Sequence, residues 1–257
     1  MGSKTGWYLM GLLSLAVCGI GRTDTVAATR VSVEAAISDP RRPEDQVKLD
    51  ATRKPVASVL FSEAKAGDRI ADVMSGNGYF TRILSQVAGP AGRVYAYIPT
   101  EQIAHCSPKE IAGTQAIARD SSYRNVTLLT GSLTDFRLPK ELDLIWMSQS
   151  YHDLHDSFLG PADVAALNKT IFDALKPGGV FLVIDHVAEA GSGLRDTETL
   201  HRIDPVRMKS EIEAAGFVLD SQSDALRNTD DDHKLAIFNP TIRGRTDQVL
   251  FRFRKPY

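Results

Sequence analysis

Residues 69–84, RIADVMSGNGYFTRIL, pass from a short apolar segment through a glycine turn into a helical repeat. RIADVM (69–74) is the near-continuous apolar run of a strand covered on both faces. SGNG (75–78) follows at its end, and glycine takes up positive φ freely and lets the backbone come close to a ligand. Phe80, Ile83, Leu84 and Val87 then recur at helical spacing until Gly89-Pro90 stops the repeat. A strand, a glycine turn and a helix in this order form the unit that cradles nucleotides at the carboxyl end of a parallel sheet.

The same alternation extends along the chain. GRVYAYI (92–98), NVTLLTGS (125–132), LDLIWMSQS (142–150) and GVFLVIDHV (179–187) are further buried strands. Val164, Leu167, Ile171 and Leu175 mark a helix that ends at KPGG, and Asp204-Pro205 caps another that Gly216 closes. Strands separated by helices predict a parallel sheet with right-handed crossovers. FVLDSQ (217–222) and DQVLFRFRK (247–255) are joined by a polar link, so the last strand is expected to return antiparallel. The predicted fold is α/β: a Rossmann-like seven-stranded sheet, mostly parallel, with helices on both faces.

A chain of 257 residues with 43% hydrophobic residues can bury one sizeable core. A net charge of −2 leaves no basic excess for phosphates and argues against nucleic acid as a partner. RRPEDQVKLDATRKP (41–55) mixes both charges and reads as a solvated helix face. At the N-terminus, Lys4 precedes the apolar run Trp7–Ile20, followed by polar GRTD and then TVAAT. This pattern is a signal peptide with Val26 and Ala28 at the positions a signal peptidase inspects. The run is short of the about 20 apolar residues that span a bilayer, and Val17 is large for the position before a lipidated cysteine. The expected organisation is a signal peptide over 1–28, a helical lead-in over 29–55 and the main domain over 56–257. The mature protein would be periplasmic or secreted, with no stable membrane span. Cys18 would leave with the signal, so Cys106 could form no internal disulfide and is expected to be inert.

From about Val56 to Lys255 the pattern resembles the class I fold of S-adenosylmethionine-dependent methyltransferases. The most specific pieces are AGDRIADVMSGNGYFTRIL and the LKPGG turn. SQSYHDLH, DHVAEAGSG, LHRIDP and IRGRTDQ are similar to segments of bacterial methyltransferases that carry signal peptides. The resemblance implies S-adenosyl-L-methionine as cofactor and a small molecule as methyl acceptor. It implies that Asp72 orders the turn and contacts the methionine end. Gly76 and Gly78, in a turn completed by Ser75 and Asn77, would make room for the sugar, and Asp135 would take the adenine amine. The chain departs from that pattern at Met74, a glycine position, and at Ile98, where a carboxylate binds the ribose hydroxyls. Ser132 likewise stands in place of an acidic residue.

Histidines gather at the ends of the later strands. His152 and His155 follow the fourth strand, His186 ends the fifth, and His201 and His233 lie in later loops. Carboxyl ends of adjacent strands are about 5 Å apart, so His152, Asp185 and His186 are expected to share one cleft with His201 above it. One reading makes His152 or His186 a general base oriented by Asp153 or Asp185. Another makes His152, His186 and His201, with or without Asp185, ligands of a divalent metal in an enzyme that does without S-adenosylmethionine. Ordinary strand-end hydrogen bonds, in a protein that only binds a small ligand, are the third. Tyr79, Tyr97 and Tyr151 read as packing residues. Arg243 and Arg245 either recognise an acidic substrate or are exposed turn residues.

Overall fold

The computed structural model describes Gly2 and residues 22–257 except Pro161, with side chains from Thr29 onward. The expected signal run Trp7–Ile20 lies outside the described residues. Helix α1 (Arg22–Ile37) crosses the expected cleavage point, and its buried residues Val33 and Ala36 lie beyond Thr29. Short helices α2 (Glu44–Val47), α3 (Asp50–Arg53) and α4 (Pro55–Phe61) lead into β1 (Arg69–Val73). There follow α5 (Tyr79–Ala88), β2 (Arg93–Pro99), α6 (Thr100–His105), α7 (Pro108–Ile117), β3 (Val126–Gly131) and β4 (Leu142–Ser148). The chain continues through α8 (Val164–Ala174), β5 (Leu175–His186), α9 (Thr197–Leu200), α10 (Pro205–Ala214), β6 (Val218–Ser223) and β7 (Gln248–Arg254). No helix among the described residues is long and apolar enough to cross a membrane.

The strands form one sheet of order β3-β2-β1-β4-β5-β7-β6, parallel except that β7 runs antiparallel between β5 and β6. Alternate side chains feed two cores, which is why the central strands are nearly continuous apolar runs. Ile70, Leu144, Trp146 and Leu182 meet α1 and α5, whereas Val73, Ile145, Phe181 and Val183 meet α8 and α10. Asp204 caps α10 by accepting from the Val206 amide, and Gly216 follows the helix at φ 106°.

Two elements differ from the sequence expectation. The Arg41–Pro55 stretch is solvated only in part. Arg42 is buried and binds Asp50 at 2.6 and 2.8 Å, Asp50 accepts from Tyr79 at 2.6 Å, and Gln46 donates to the Asn77 carbonyl at 2.9 Å. Mixed charge suggested water, but these groups satisfy one another against α5. The second difference is α6 and α7, which carry too few apolar residues for a clear periodic stripe. Their legible signal was the capping box of Ser107 and Glu110, with Pro108 at the first helical position.

α7 seats on the glycine turn. The Gly113 amide donates to Asn77 Oδ1 at 2.6 Å, and Thr114 Oγ1 donates to the Gly76 carbonyl at 2.8 Å. A Cβ on Gly113 would lie 2.2 Å from Asn77 Oδ1 and 2.3 Å from its backbone oxygen. Alanine in place of a helix-interior glycine normally gains about 0.5–1 kcal/mol. Here Gly113→Ala is expected to reverse that sign and cost about 1–3 kcal/mol, because backbone must move. Urea denaturation checks this, and a variant as stable as the parent would show that the contact relaxes freely.

Candidate functional site

The strand order reverses between β1 and β4, and the crevice outside their carboxyl ends is where an open α/β sheet binds ligands. The glycine turn leaves β1 there, and the histidine-bearing loop leaves β4.

Met74, Gly76 and Gly78 take φ of 57°, 52° and 74°. The expected glycine at 74 is therefore a left-handed methionine, a conformation that costs an L-residue about 1–2 kcal/mol, and its side chain packs with Tyr97, Leu133 and Tyr151. Gly78 has a packing reason, since a Cβ would lie 2.4 Å from Ile117 Cδ1. Gly76 is different: a Cβ would meet only the Glu110 carbonyl at 3.9 Å, leaving open space beside the turn. Ser75 points its hydroxyl at Thr114 (3.4 Å), and Asn77 serves α7 and Gln46. Asp72 is buried and turned toward α5, where it accepts from Thr81 Oγ1 at 2.6 Å. Burial pushes its pKa up to about 7, against the Thr81 hydrogen bond and the Arg53 charge.

Ile98 is fully buried and offers nothing to a ribose. Three residues on, Glu101 places a carboxylate at the end of β2, accepting from the Ser132 hydroxyl and from the Leu133 amide at 3.1 Å. Sequence reasoning missed it, because the carboxylate was sought within the strand and Glu101 opens the helix that follows. Asp135 pairs with Arg137 at 2.7 Å, is largely exposed, and lines a cavity of about 550 Å³ beside α8.

The histidines converge only in part. Asp185 is fully buried and receives the backbone amides of His152 (2.7 Å) and His186 (2.8 Å) and His152 Nδ1 (2.7 Å). The other ring nitrogen of His152, Nε2, faces Asp153 Oδ1 at 3.1 Å. Burial alone would lower the pKa of His152, but Asp185 and Asp153 outweigh it and raise it well above the ordinary value. Asp153 is correspondingly held near 2, the His152 charge outweighing burial. His201, at φ 52°, places Nδ1 3.6 Å from both Asp153 and Asp156. His186 instead turns Nδ1 to Thr246 Oγ1 at 2.7 Å, and burial pushes its pKa down to about 3. His152 thus lies between two carboxylates, and His186 turns one ring nitrogen to Thr246.

His155 binds Glu211 on α10 and His233 binds Asp247, both outside the cluster. Tyr79 and Tyr151 spend their hydroxyls on Asp50 and on Asn168 with Glu211, and Tyr97 donates to the Gly131 carbonyl. Cys106 is half-buried, and its thiol is pushed up to about 11 by burial and Glu110. Thr246, the partner of His186, lines a cavity of about 490 Å³ together with Lys54, Arg227, Asn228, Arg245 and Gln248.

No family model matches the chain, and no curated protein matches it in sequence. Solved structures do. An S-adenosylmethionine-dependent methyltransferase from Aquifex aeolicus is 16% identical with a TM-score of 0.55, over 88% of this chain and 98% of that one. The cyclase SpnF is 17% identical with a TM-score of 0.57, over 92% and 95%. Aeropyrum pernix fibrillarin, with natively bound S-adenosyl-L-methionine, is 18% identical with a TM-score of 0.50, over 80% and 76%. The chain has the fold of the class I methyltransferases. A cyclase on the same fold shows that fold and reaction are separate matters.

Proposed function

We propose that this chain is an S-adenosylmethionine-dependent methyltransferase acting on a small molecule, exported by its N-terminal signal and active in the periplasm or outside the cell. The observation that carries the reading is the position of two loops. The glycine turn and the Asp–His loop leave the two strands that flank the switch point, so a cofactor on one would face an acceptor on the other.

The open space beside Gly76 would admit the nucleoside, and Glu101 would supply the carboxylate that Ile98 lacks. Bound there, the cofactor supplies a methyl group on a positively charged sulfur. What remains for the protein is alignment, which in a methyl transfer outweighs proton chemistry. The cavity lined by Thr246 has the size of a small-molecule site and bears Lys54, Arg227 and Arg245, which favour a polar or anionic acceptor. Cleavage after Ala28 would leave Val33 and Ala36, and with them the described packing of α1 on α4 and α5.

Calorimetric titration of the chain from Thr29 with S-adenosylmethionine and S-adenosylhomocysteine tests this. Micromolar binding is expected, weakened about ten- to a hundred-fold by Glu101→Gln, as the loss of one charged hydrogen bond implies. No binding of either compound at millimolar concentration would end the methyltransferase reading.

A further inference from the structure

We propose that His152, Asp153, Asp156 and His201 form a binding site for a divalent transition cation of the zinc class. The site does not depend on S-adenosylmethionine.

The first three residues offer His152 Nε2, a carboxylate oxygen of Asp153 and a ring nitrogen of His201, all within 4.8 Å of one another. In a tetrahedral shell, bonds of about 2.0–2.2 Å place ligand atoms about 3.3–3.6 Å apart, so side-chain shifts of up to about 1 Å close the shell. Imidazole nitrogen with carboxylate oxygen suits zinc and its first-row neighbours better than magnesium or calcium.

Asp156 is the independent observation. It is 1% exposed, both its carboxylate oxygens lack a hydrogen-bond partner, and Oδ2 stands 3.6 Å from His201 Nδ1. A buried carboxylate without partners is costly, and a cation is the partner that removes the cost.

The support around the ligands is in place. Asp185 takes His152 Nδ1 and so turns Nε2 toward Asp153, the carboxylate–histidine arrangement that orients a metal ligand. His201 keeps its left-handed backbone because its neighbours are pinned. Arg202 is locked to Asp231 and the Val187 carbonyl, and the Ile203 amide donates to the His186 carbonyl at 3.0 Å. Strain of this kind persists where surrounding structure over-determines it, and it gathers at ligand sites. The set differs from the one the sequence suggested: His186 is spent on Thr246 and Asp185 on orientation, while Asp153 and Asp156 face the site.

The test is calorimetric titration of the chelator-treated protein with zinc alone, alongside elemental analysis of the protein as purified. Binding of one ion per chain is expected, with affinity lowered about ten-fold or more by His201→Gln and by the isosteric Asp156→Asn. Zinc should raise the Tm of the parent more than that of either variant. Absence of binding at sub-millimolar zinc would overturn the proposal. So would affinity that survives both substitutions, or that disappears on His233→Gln instead. Because no nucleoside is present, a failure here leaves the cofactor titration with Glu101→Gln to be judged by itself.

Discussion

Arg202→Ala is expected to lower the free energy of unfolding by about 3–5 kcal/mol, the cost of removing one partner from a fully buried ion pair. The guanidinium is 0% exposed and meets Asp231 at 2.8 and 3.1 Å. It also donates to the carbonyls of Val187 and Leu235, both at 2.9 Å. One side chain thus ties the end of β5 to the long loop before β7, and it stands next to the strained His201. Alanine would leave Asp231 with only the amides of Asp247 and His233, at 2.7 and 3.1 Å, and would open a cavity. For a chain of this size the Tm should fall on the order of 10 °C. Denaturant midpoints would measure the loss. Replacing both partners with apolar residues, Arg202→Met with Asp231→Leu, should recover much of it, since no charge then remains unpaired. A loss below about 1 kcal/mol for Arg202→Ala would show that the loop is held by other contacts.

The second large effect concerns Asp72 and pH. Its pKa is raised by burial to about 7 from an ordinary carboxylate value of 3.8, so between those pH values the folded chain binds more protons than the unfolded one. Stability falls with rising pH wherever the folded state holds the extra proton. The contribution of Asp72 is therefore fully present below about pH 4, is lost as pH rises through 7, and is flat above that. The slope is at most about 1.4 kcal/mol per pH unit, a few kcal/mol over the window. Asp72→Asn removes the titration while keeping an acceptor for Thr81. Its stability relative to the parent should rise from pH 4 to about pH 7 and level off above that in paired melts. A constant difference across that range would mean that Asp72 is charged throughout and better paired than its surroundings imply.

The central strands were readable because both of their faces are covered, which makes the apolar run continuous, whereas the part-exposed edge strands β3 and β6 carry only short apolar segments. The α5 stripe and the Asp204-Pro205 start of α10 were equally local signals. α6 and α7 were not seen: their burial comes from docking onto the turn, and only Ser107 and Glu110 announced a helix. Arg42 was misread for a related reason. A charge is assigned to water unless its partner is known, and Asp50 and Tyr79 become its partners only when α3 and α5 meet.

The site divides in the same way. That Asp72, Gly76, His152, Asp185 and His186 all fall at the carboxyl ends of strands follows from where the apolar runs begin and end along the chain. Which way each ring or carboxylate turns was decided in three dimensions. Asp185, 33 residues after His152, sets the face that His152 shows to Asp153. Thr246, 60 residues after His186, takes that ring out of the cluster. Asp153, Asp156 and Glu101 stand in the sequence as ordinary acids beside a strand or in a short helix. Their chemistry arises from desolvation and from neighbours distant along the chain, which only the folded arrangement supplies.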